Sequence, residues 1–285
     1  MSPPLLRRLT RRPRRAASRR LRQFLRRPAD GLVTTEENPA VPHPLASFRF
    51  FAVLGTWMEQ DVVEATVRNA LAQGVERVYL VDNASTDATV ARATAAGAIL
   101  AESFDTAVYE ERVRILLMNT VVARQSLHCG ADHVWWLWLD ADEFPEGPRG
   151  LTIADYLGTL DNRFRVVGST YWNHFPDRSP AYVPGYHPLD FQPLSERYVP
   201  ERPRHCAQDH WKHPLQRFDR HGPFLLANGG FHSATLRTRE PLREPRGGIV
   251  THHVQYREEA ATRARMDLLA GGAGRNGLND SIGNV

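Results

Sequence analysis

Two hydrophobic periods alternate along the first half of the chain. Phe48 to Trp57 (FRFFAVLGTW) is a nearly continuous apolar run that predicts a buried strand. From Asp61 to Gln73, Val63, Val67, Ala70 and Leu71 recur at the spacing of one helix face, and Gly74 stands where such a helix would close in a left-handed residue. Val75 to Val81 predicts a second strand. Asp82-Asn83-Ala84-Ser85-Thr86-Asp87 then predicts a turn, with Ser85 or Thr86 capping a helix that runs to Ala96 and ends at Gly97. Ala98 to Phe104 predicts a third strand, Val108 to Cys129 a long helix, and His133 to Leu139 (HVWWLWL) a fourth strand with no polar face.

A strand that is apolar on both sides must be covered on both sides, so it belongs in the middle of a sheet flanked by helices. Strands alternating with helices imply an α/β fold with a mostly parallel central sheet. Right-handed crossovers would bring the strand ends at Trp57, Asp82, Phe104 and Asp140 to one edge, where open α/β sheets bind ligands. Beyond Asp142 the pattern loosens. A helix from Thr152 to Leu160 and a strand from Arg163 to Tyr171 lead into a loop-rich span reaching Leu215. Later strands are expected within Arg217 to Leu236 and Gly248 to Tyr256, and a helix from Arg257 to Ala270. The expected organisation is a flexible basic, Pro-containing arm over residues 1–44, a domain over 45–270 with a ligand-binding half (45–145) and an acceptor-side half (146–270), and a tail over 271–285.

Composition changes this picture in one respect. The 285 residues are 42% hydrophobic and 24% charged, as in ordinary globular chains, but the net charge of +4 is unevenly spread. Residues 1–27 hold eleven arginines and no acid, so the remainder is mildly acidic. That body would not attract nucleic acid, and no specific nucleic-acid partner is expected. The arm, with Leu5, Leu6, Leu9, Leu21, Phe24 and Leu25 among its arginines, could contact an anionic membrane surface or remain a solvated arm. No apolar run approaches the ~20 residues of a membrane span, and the start lacks a signal-peptide core. The expected location is the cytoplasm, with peripheral contact at the inner face of the membrane as the arm's contribution. Cys129 and Cys206 have no metal-ligand spacing.

Two constellations carry candidate chemistry. Asp140-Ala141-Asp142-Glu143-Phe144 leaves the apolar strand directly, and two carboxylates one residue apart can share a hard divalent cation with diphosphate oxygens. Asp82 to Asp87, at the second strand end, can offer a carboxylate to a base or ribose beside a helix N-terminus; the same residues would also supply an ordinary Asx turn. The two motifs in this order, GTWMEQDVVEATVRNALAQGVERVYLVDNASTDATVARA and VWWLWLDADEFP, resemble the family 2-like glycosyltransferases of the GT-A fold over about Phe48 to Pro145. The resemblance implies a GT-A-like nucleotide-diphospho-sugar transferase fold and a nucleotide-sugar donor. It also implies a divalent Mn²⁺ or Mg²⁺ cofactor and transfer to a hydroxyl-bearing glycan or other acceptor, with inversion. By that resemblance Glu59 and Asp82 hold the nucleoside, and Asp140 and Asp142 carry the metal and diphosphate.

The family's Glu-Asp pair, a frequent source of the catalytic base, has no counterpart in the second half. Asp190, Glu196, Asp209 and Asp219 are the candidates, and Asp209 is preferred because Gln208-Asp209-His210-Trp211 crowds polar and aromatic groups together. Nine of the twelve histidines lie between His174 and His253. A C-terminal histidine is often recruited to the metal in GT-A enzymes, which makes His232 or His253 a candidate ligand. His252 and His253, adjacent in a strand, must face opposite sides. Arginine replaces lysine everywhere except Lys212, a bias that genome composition would also produce. Two rival readings remain: a sugar-phosphate nucleotidyltransferase, which would normally carry a glycine-rich phosphate loop where Gly55-Thr56-Trp57-Met58 stands, and a non-catalytic binding protein docking through its arginine-rich arm.

Overall fold

A computed structural model describes residues 33–106, 110–176, 187–198, 212–222, 225–227, 234–236, 242–257 and 263. The basic segment 1–27, Asp209, His232 and most of the predicted C-terminal helix and tail lie outside the described residues.

The strands are β1 (Val33–Glu36), β2 (Arg49–Thr56), β3 (Arg77–Asp82), β4 (Ile99–Ser103), β5 (His133–Asp140), β6 (Glu143–Glu146), β7 (Val166–Phe175), β8 (Leu194–Tyr198), β9 (Lys212–Asp219), β10 (Leu225–Ala227), β11 (Ala234–Leu236), β12 (Leu242–Pro245) and β13 (Ile249–His253). The helices are α1 (Val63–Ala72), α2 (Thr89–Ala95), α3 (Glu111–His128) and α4 (Ile153–Thr159). Among the described residues nine strands form one sheet in the order β4-β3-β2-β5-β9-β7-β13-β6, with β8 added alongside β7. None of the described helices is long and apolar enough to cross a membrane.

The alternating side chains of β5 show why its sequence has no polar face. Trp135, Leu137 and Leu139 join the core under α1, α2 and α4, while Val134, Trp136 and Trp138 join Ile115, Met118, Val121 and Val122 of α3 on the other side. Phe50, Ala52 and Leu54 of β2 divide from Phe51 and Val53 in the same way. Both faces are covered, as the α/β expectation requires. The sheet is mixed. β4, β3, β2 and β5 run parallel, but β9 is antiparallel to both β5 and β7, and β13 is parallel to β7 and antiparallel to β6. Because β9 runs against β5, its first residue, Lys212, lies at the edge where β5 ends, and Asp219 pairs with His133 where β5 begins.

Residues 33–44, within the segment expected as an arm, contact the later part of the chain. β1 pairs in parallel with β12, and the His43 amide donates to Asp161 Oδ2 at 2.9 Å while Asn38 Nδ2 donates to the carbonyl of Thr159. Gly74 takes φ +89° behind α1, as its position predicted, and an added Cβ would stand 2.4 Å from Ala154 Cβ. The helix after the Asp82 turn starts differently from the expectation. Ala88 holds the N-cap position without a side-chain bond, and Ser85 bonds instead to Asp82 and to the Met58 amide. By contrast, Thr152 caps α4 by accepting from the Asp155 amide.

Candidate active site

The C-terminal ends of β2, β3 and β5 meet at one edge of the sheet, joined there by the start of β9 and the end of β13. Each turn at this edge is tightly built. Asp82 is 2% exposed. Its Oδ1 accepts from Thr56 Oγ at 2.9 Å and from Ser85 Oγ at 2.6 Å, and its Oδ2 from the Ser85 amide at 2.8 Å. Asp82 therefore welds the end of β3 to β2 and shapes its own turn, in which Ala84 has φ +46°. Met58, also left-handed at φ +58°, leads from β2 to Glu59. Backbone in this region is strained for residues with a side chain and persists where surrounding bonds fix it.

Asp140 ends β5 beside Gly55 of β2. Its Oδ1 accepts from Arg114 Nη1 at 2.6 Å and its Oδ2 from Lys212 Nζ at 2.9 Å. Gly55 makes the first contact possible, because a Cβ there would lie 2.9 Å from Arg114 Nη1 and 3.1 Å from Met118 Sδ. Burial by itself would raise the Asp140 pKa, but Lys212 and Arg114 outweigh it and hold the carboxyl well below the usual range. Lys212 also donates to Glu143 Oε1 and lies 5.4 Å from the centre of the Tyr171 ring. Burial, reinforced by Asp140, pushes the Glu143 carboxyl up, and its Oε2 is buried without a hydrogen-bond partner among the described residues. Burial opposes charge on Lys212, yet Asp140 and Glu143 keep it protonated far above its ordinary value.

Asp142 faces a different set. β13 lies between β7 and β6, which places His253 in register with Asn173 and Glu143. His253 Nδ1 pairs with Asn173 Oδ1 at 3.0 Å, and Nε2 points at Asp142 Oδ2 across 3.7 Å. Burial lowers the His253 pKa, but Asp142 and Glu143 together raise it above the ordinary value. The chain after β13 then brings in Arg257. Its Nε donates to Asp61 Oδ2 at 2.6 Å, its Nη2 donates to Glu59 Oε2, and its Nη1 stands 3.7 Å from Asp142 Oδ2.

The structure thus brings Glu59, Asp82, Asp140, Asp142 and His253 to one edge, but with distinct duties. The two oxygens of Asp140, the residue that the resemblance assigns to the metal, each accept from a protein cation. The carboxylate of Glu59, which the resemblance assigns to the nucleoside, accepts from Arg257 Nη2. Among the described residues no group of three or more His, Cys, Asp and Glu side chains is arranged to hold an ion. Asp142 and His253 approach each other to 3.7 Å. His252 faces the other way, as strand alternation required, and bonds through Nδ1 to His174 Nε2 at 2.8 Å. Of the candidate bases, Asp219 is at the far edge, seven residues along β9 from Lys212 or about 23 Å at ~3.3 Å per residue, bound by Arg217, Arg165 and His133. Glu196 pairs in register with Asn173, one strand from His253, and Asp190 lies in a 3-10 turn at Pro188–Phe191. Sequence reasoning missed Arg114, Arg257 and Lys212. Only Lys212 carried a signal, as the sole lysine in a chain that otherwise uses arginine.

No protein-family model and no curated protein matches this chain. Among solved structures it is similar to glucosyl-3-phosphoglycerate synthase from Mycobacterium tuberculosis. The complex with phosphoglyceric acid matches over 87% of this chain and 90% of that one, at 16% identity and a TM-score of 0.40. The complex with Mg²⁺ and uridine-diphosphate matches over 87% and 89%, at 14% identity and a TM-score of 0.38. In the complex with Mn²⁺, uridine-diphosphate and glucosyl-3-phosphoglycerate, the match spans 49% of this chain and about half of that one (52%), at 20% identity and a TM-score of 0.29.

Proposed function

We propose that this protein is a metal-dependent glycosyltransferase that moves a sugar from a nucleotide-sugar to a hydroxyl acceptor. The observation that carries the reading is the meeting of Asp142 and His253 across 3.7 Å at the ligand-binding edge of the sheet. A carboxylate oxygen and an imidazole nitrogen from two separate strands converge there, farther apart than a hydrogen bond, and Asn173 fixes the ring through its other nitrogen. Asp142 and His253 would hold a Mn²⁺ or Mg²⁺ ion beside the donor's diphosphate. When bound, the ion would offset charge on the departing nucleotide diphosphate.

The chain's own residues would orient the donor. Asp82 and Glu59 order the two turns against which a nucleoside would lie, and Asp140 holds Arg114 and Lys212 in place beside the diphosphate end. A single in-line displacement with inversion is part of this proposal. The acceptor hydroxyl would pass its proton to a carboxylate; Asp209 lies outside the described residues, and Glu196 is the described candidate that strand register puts nearest His253. Cytoplasmic location with the arginine-rich segment 1–27 touching anionic membrane remains part of the same proposal.

The test is thermal stability against a panel of nucleotide-sugars with and without Mn²⁺. A ligand at 100 times its dissociation constant stabilises by ~2.7 kcal/mol. The wild type is expected to show a metal-dependent shift with one nucleotide class. Asp142→Asn and His253→Ala should each abolish that shift while the unliganded protein stays folded. An undiminished shift in Asp142→Asn would remove the central claim.

A further inference from the structure

Beyond His253 the same face of the sheet carries an aromatic pair that the proposed donor site does not use. β9 runs against both β5 and β7, and β13 runs with β7, so β7 and β13 both end at the ligand-binding edge. Phe175, the last residue of β7, stands two positions past Asn173. It therefore shares the face on which Asn173 meets His253, about 7 Å along the strand at ~3.3 Å per residue. Tyr256, just after β13, stacks on it with ring centres 5.8 Å apart and planes inclined by 19°. Register sets Glu196 opposite Asn173 and Leu194 opposite Phe175, on that face as well.

This surface is open and yet held in place. Phe175 and Tyr256 are half-buried, Glu196 is exposed and Leu194 is 53% exposed. Gln192, itself 4% exposed, donates from Nε2 to the Tyr256 carbonyl, and His174 Nδ1 donates to the Gln192 carbonyl at 3.0 Å. A buried amide thus fixes the backbone of a residue whose ring reaches solvent, which is the support a preorganised binding surface needs. Binding sites combine apolar and aromatic area with a few placed polar groups. A sugar ring matches this set, because its C–H face suits an aromatic surface and its hydroxyls suit a carboxylate, which can only accept. An anionic acceptor suits it less. Glu196 would repel it, and the cation next to Tyr256, Arg257, is held by Glu59 and Asp61.

We propose that Phe175, Tyr256 and Glu196 form the acceptor subsite and that the acceptor presents an uncharged sugar ring to it, stacked on the aromatic pair with a hydroxyl on Glu196. The inference rests on the glycosyltransferase reading and narrows its acceptor from any hydroxyl compound to a neutral carbohydrate.

The experiment titrates full-length wild type, Tyr256→Ala, Tyr256→Phe and Glu196→Gln in Mg²⁺ with methyl glucoside, methyl galactoside, maltose, cellobiose and phosphoglyceric acid. Saturation-transfer NMR follows binding, and the melting shift with nucleotide-sugars is recorded on the same proteins. Wild type is expected to bind at least one neutral saccharide, and to bind it more tightly than phosphoglyceric acid. Tyr256→Ala should weaken that saccharide at least tenfold and Glu196→Gln several-fold, each with the nucleotide-sugar shift retained, while Tyr256→Phe, which keeps the ring, should bind as wild type does. If Tyr256→Ala does not fold, the exposed Glu196 carries the test. The subsite is overturned if no saccharide saturates wild type, if the folded variants bind as wild type does, or if phosphoglyceric acid binds more tightly than every saccharide. A nucleotide-sugar shift in any of those cases leaves the glycosyltransferase reading standing. Saccharide binding with no nucleotide-sugar shift in wild type would overturn that reading and the acceptor role together.

Discussion

Lys212 shows how one residue can set the character of a site. Its ammonium sits between Asp140 and Glu143 beneath the face of Tyr171, all three enclosed by the sheet. Removing one partner of such a buried set leaves the others uncompensated, which typically costs about 3–5 kcal/mol. Lys212→Met is therefore expected to lower the unfolding free energy by roughly 3 kcal/mol in urea denaturation. Glu143→Gln in the same chain should recover part of that loss, because it removes one of the orphaned charges. Strict additivity of the two substitutions would show that the contact contributes nothing to stability. At this scale the sequence was half legible. Two carboxylates one residue apart after an apolar strand announced themselves, and so did a histidine at the end of a later strand. Their partners did not, because Arg114 reaches Asp140 from a helix turn and Arg257 reaches Glu59 from nearly two hundred positions away. No local pattern encodes such pairings.

At the level of the element, what matters is how closely the strand ends approach one another. Gly55 is the narrow point: it pairs with Asp140, and the Arg114 side chain passes over it. Gly55→Ala would force Arg114 and Met118 aside by a few tenths of an ångström. Overpacking of this kind costs about 1–3 kcal/mol. Chemical denaturation should register that loss, and diphosphate binding should weaken along with it as Arg114 is displaced from Asp140. A variant as stable as wild type would mean that Arg114 has room the structure does not show. Element types were clear from the sequence wherever period and length agreed, as in β2, α1, β3 and β5. The prediction failed at the start of α2, where Asp82 captured Ser85 for its own turn, so the hydroxyl expected to cap a helix was spent on a strand end. In the second half, β8 and the start of β9 fell within a span that reads as loop, because Lys212 and His213 are polar residues buried by pairing with Glu143 and Glu244 rather than by apolar packing.

Across the whole molecule, buried ionisable groups form two sets with different pH windows. At the far edge of the sheet, burial would raise the Asp219 pKa, but Arg217, His133 and Arg165 hold it below the ordinary value. Its stabilisation is complete above the unfolded pKa of about 3.9 and is lost as pH falls through the lower folded value. Near the proposed site the senses differ: the raised His253 contributes stability that is present at low pH and lost as pH rises, whereas two other histidines act in the sense of Asp219 at a higher window. His174 and His187 are both pushed below the usual histidine value, chiefly by burial, with His252 adding to the effect at each. Below the unfolded pKa of about 6.5 the unfolded chain takes up protons that the folded chain refuses, so stability falls as pH drops from neutrality towards the folded values. His174 and His187 should therefore contribute a first step of decline in the melting temperature of the unliganded protein below about pH 6.5, partly offset by the protonated His253 and well above the range in which Asp219 protonates. His174→Gln keeps a polar side chain between Gln192 and His252 and should shrink that first step while leaving the lower one unchanged. A first step of full size in this variant would assign the neutral-range sensitivity to His187 or to other groups, and would separate the histidine-rich second half from the stability of the site it borders.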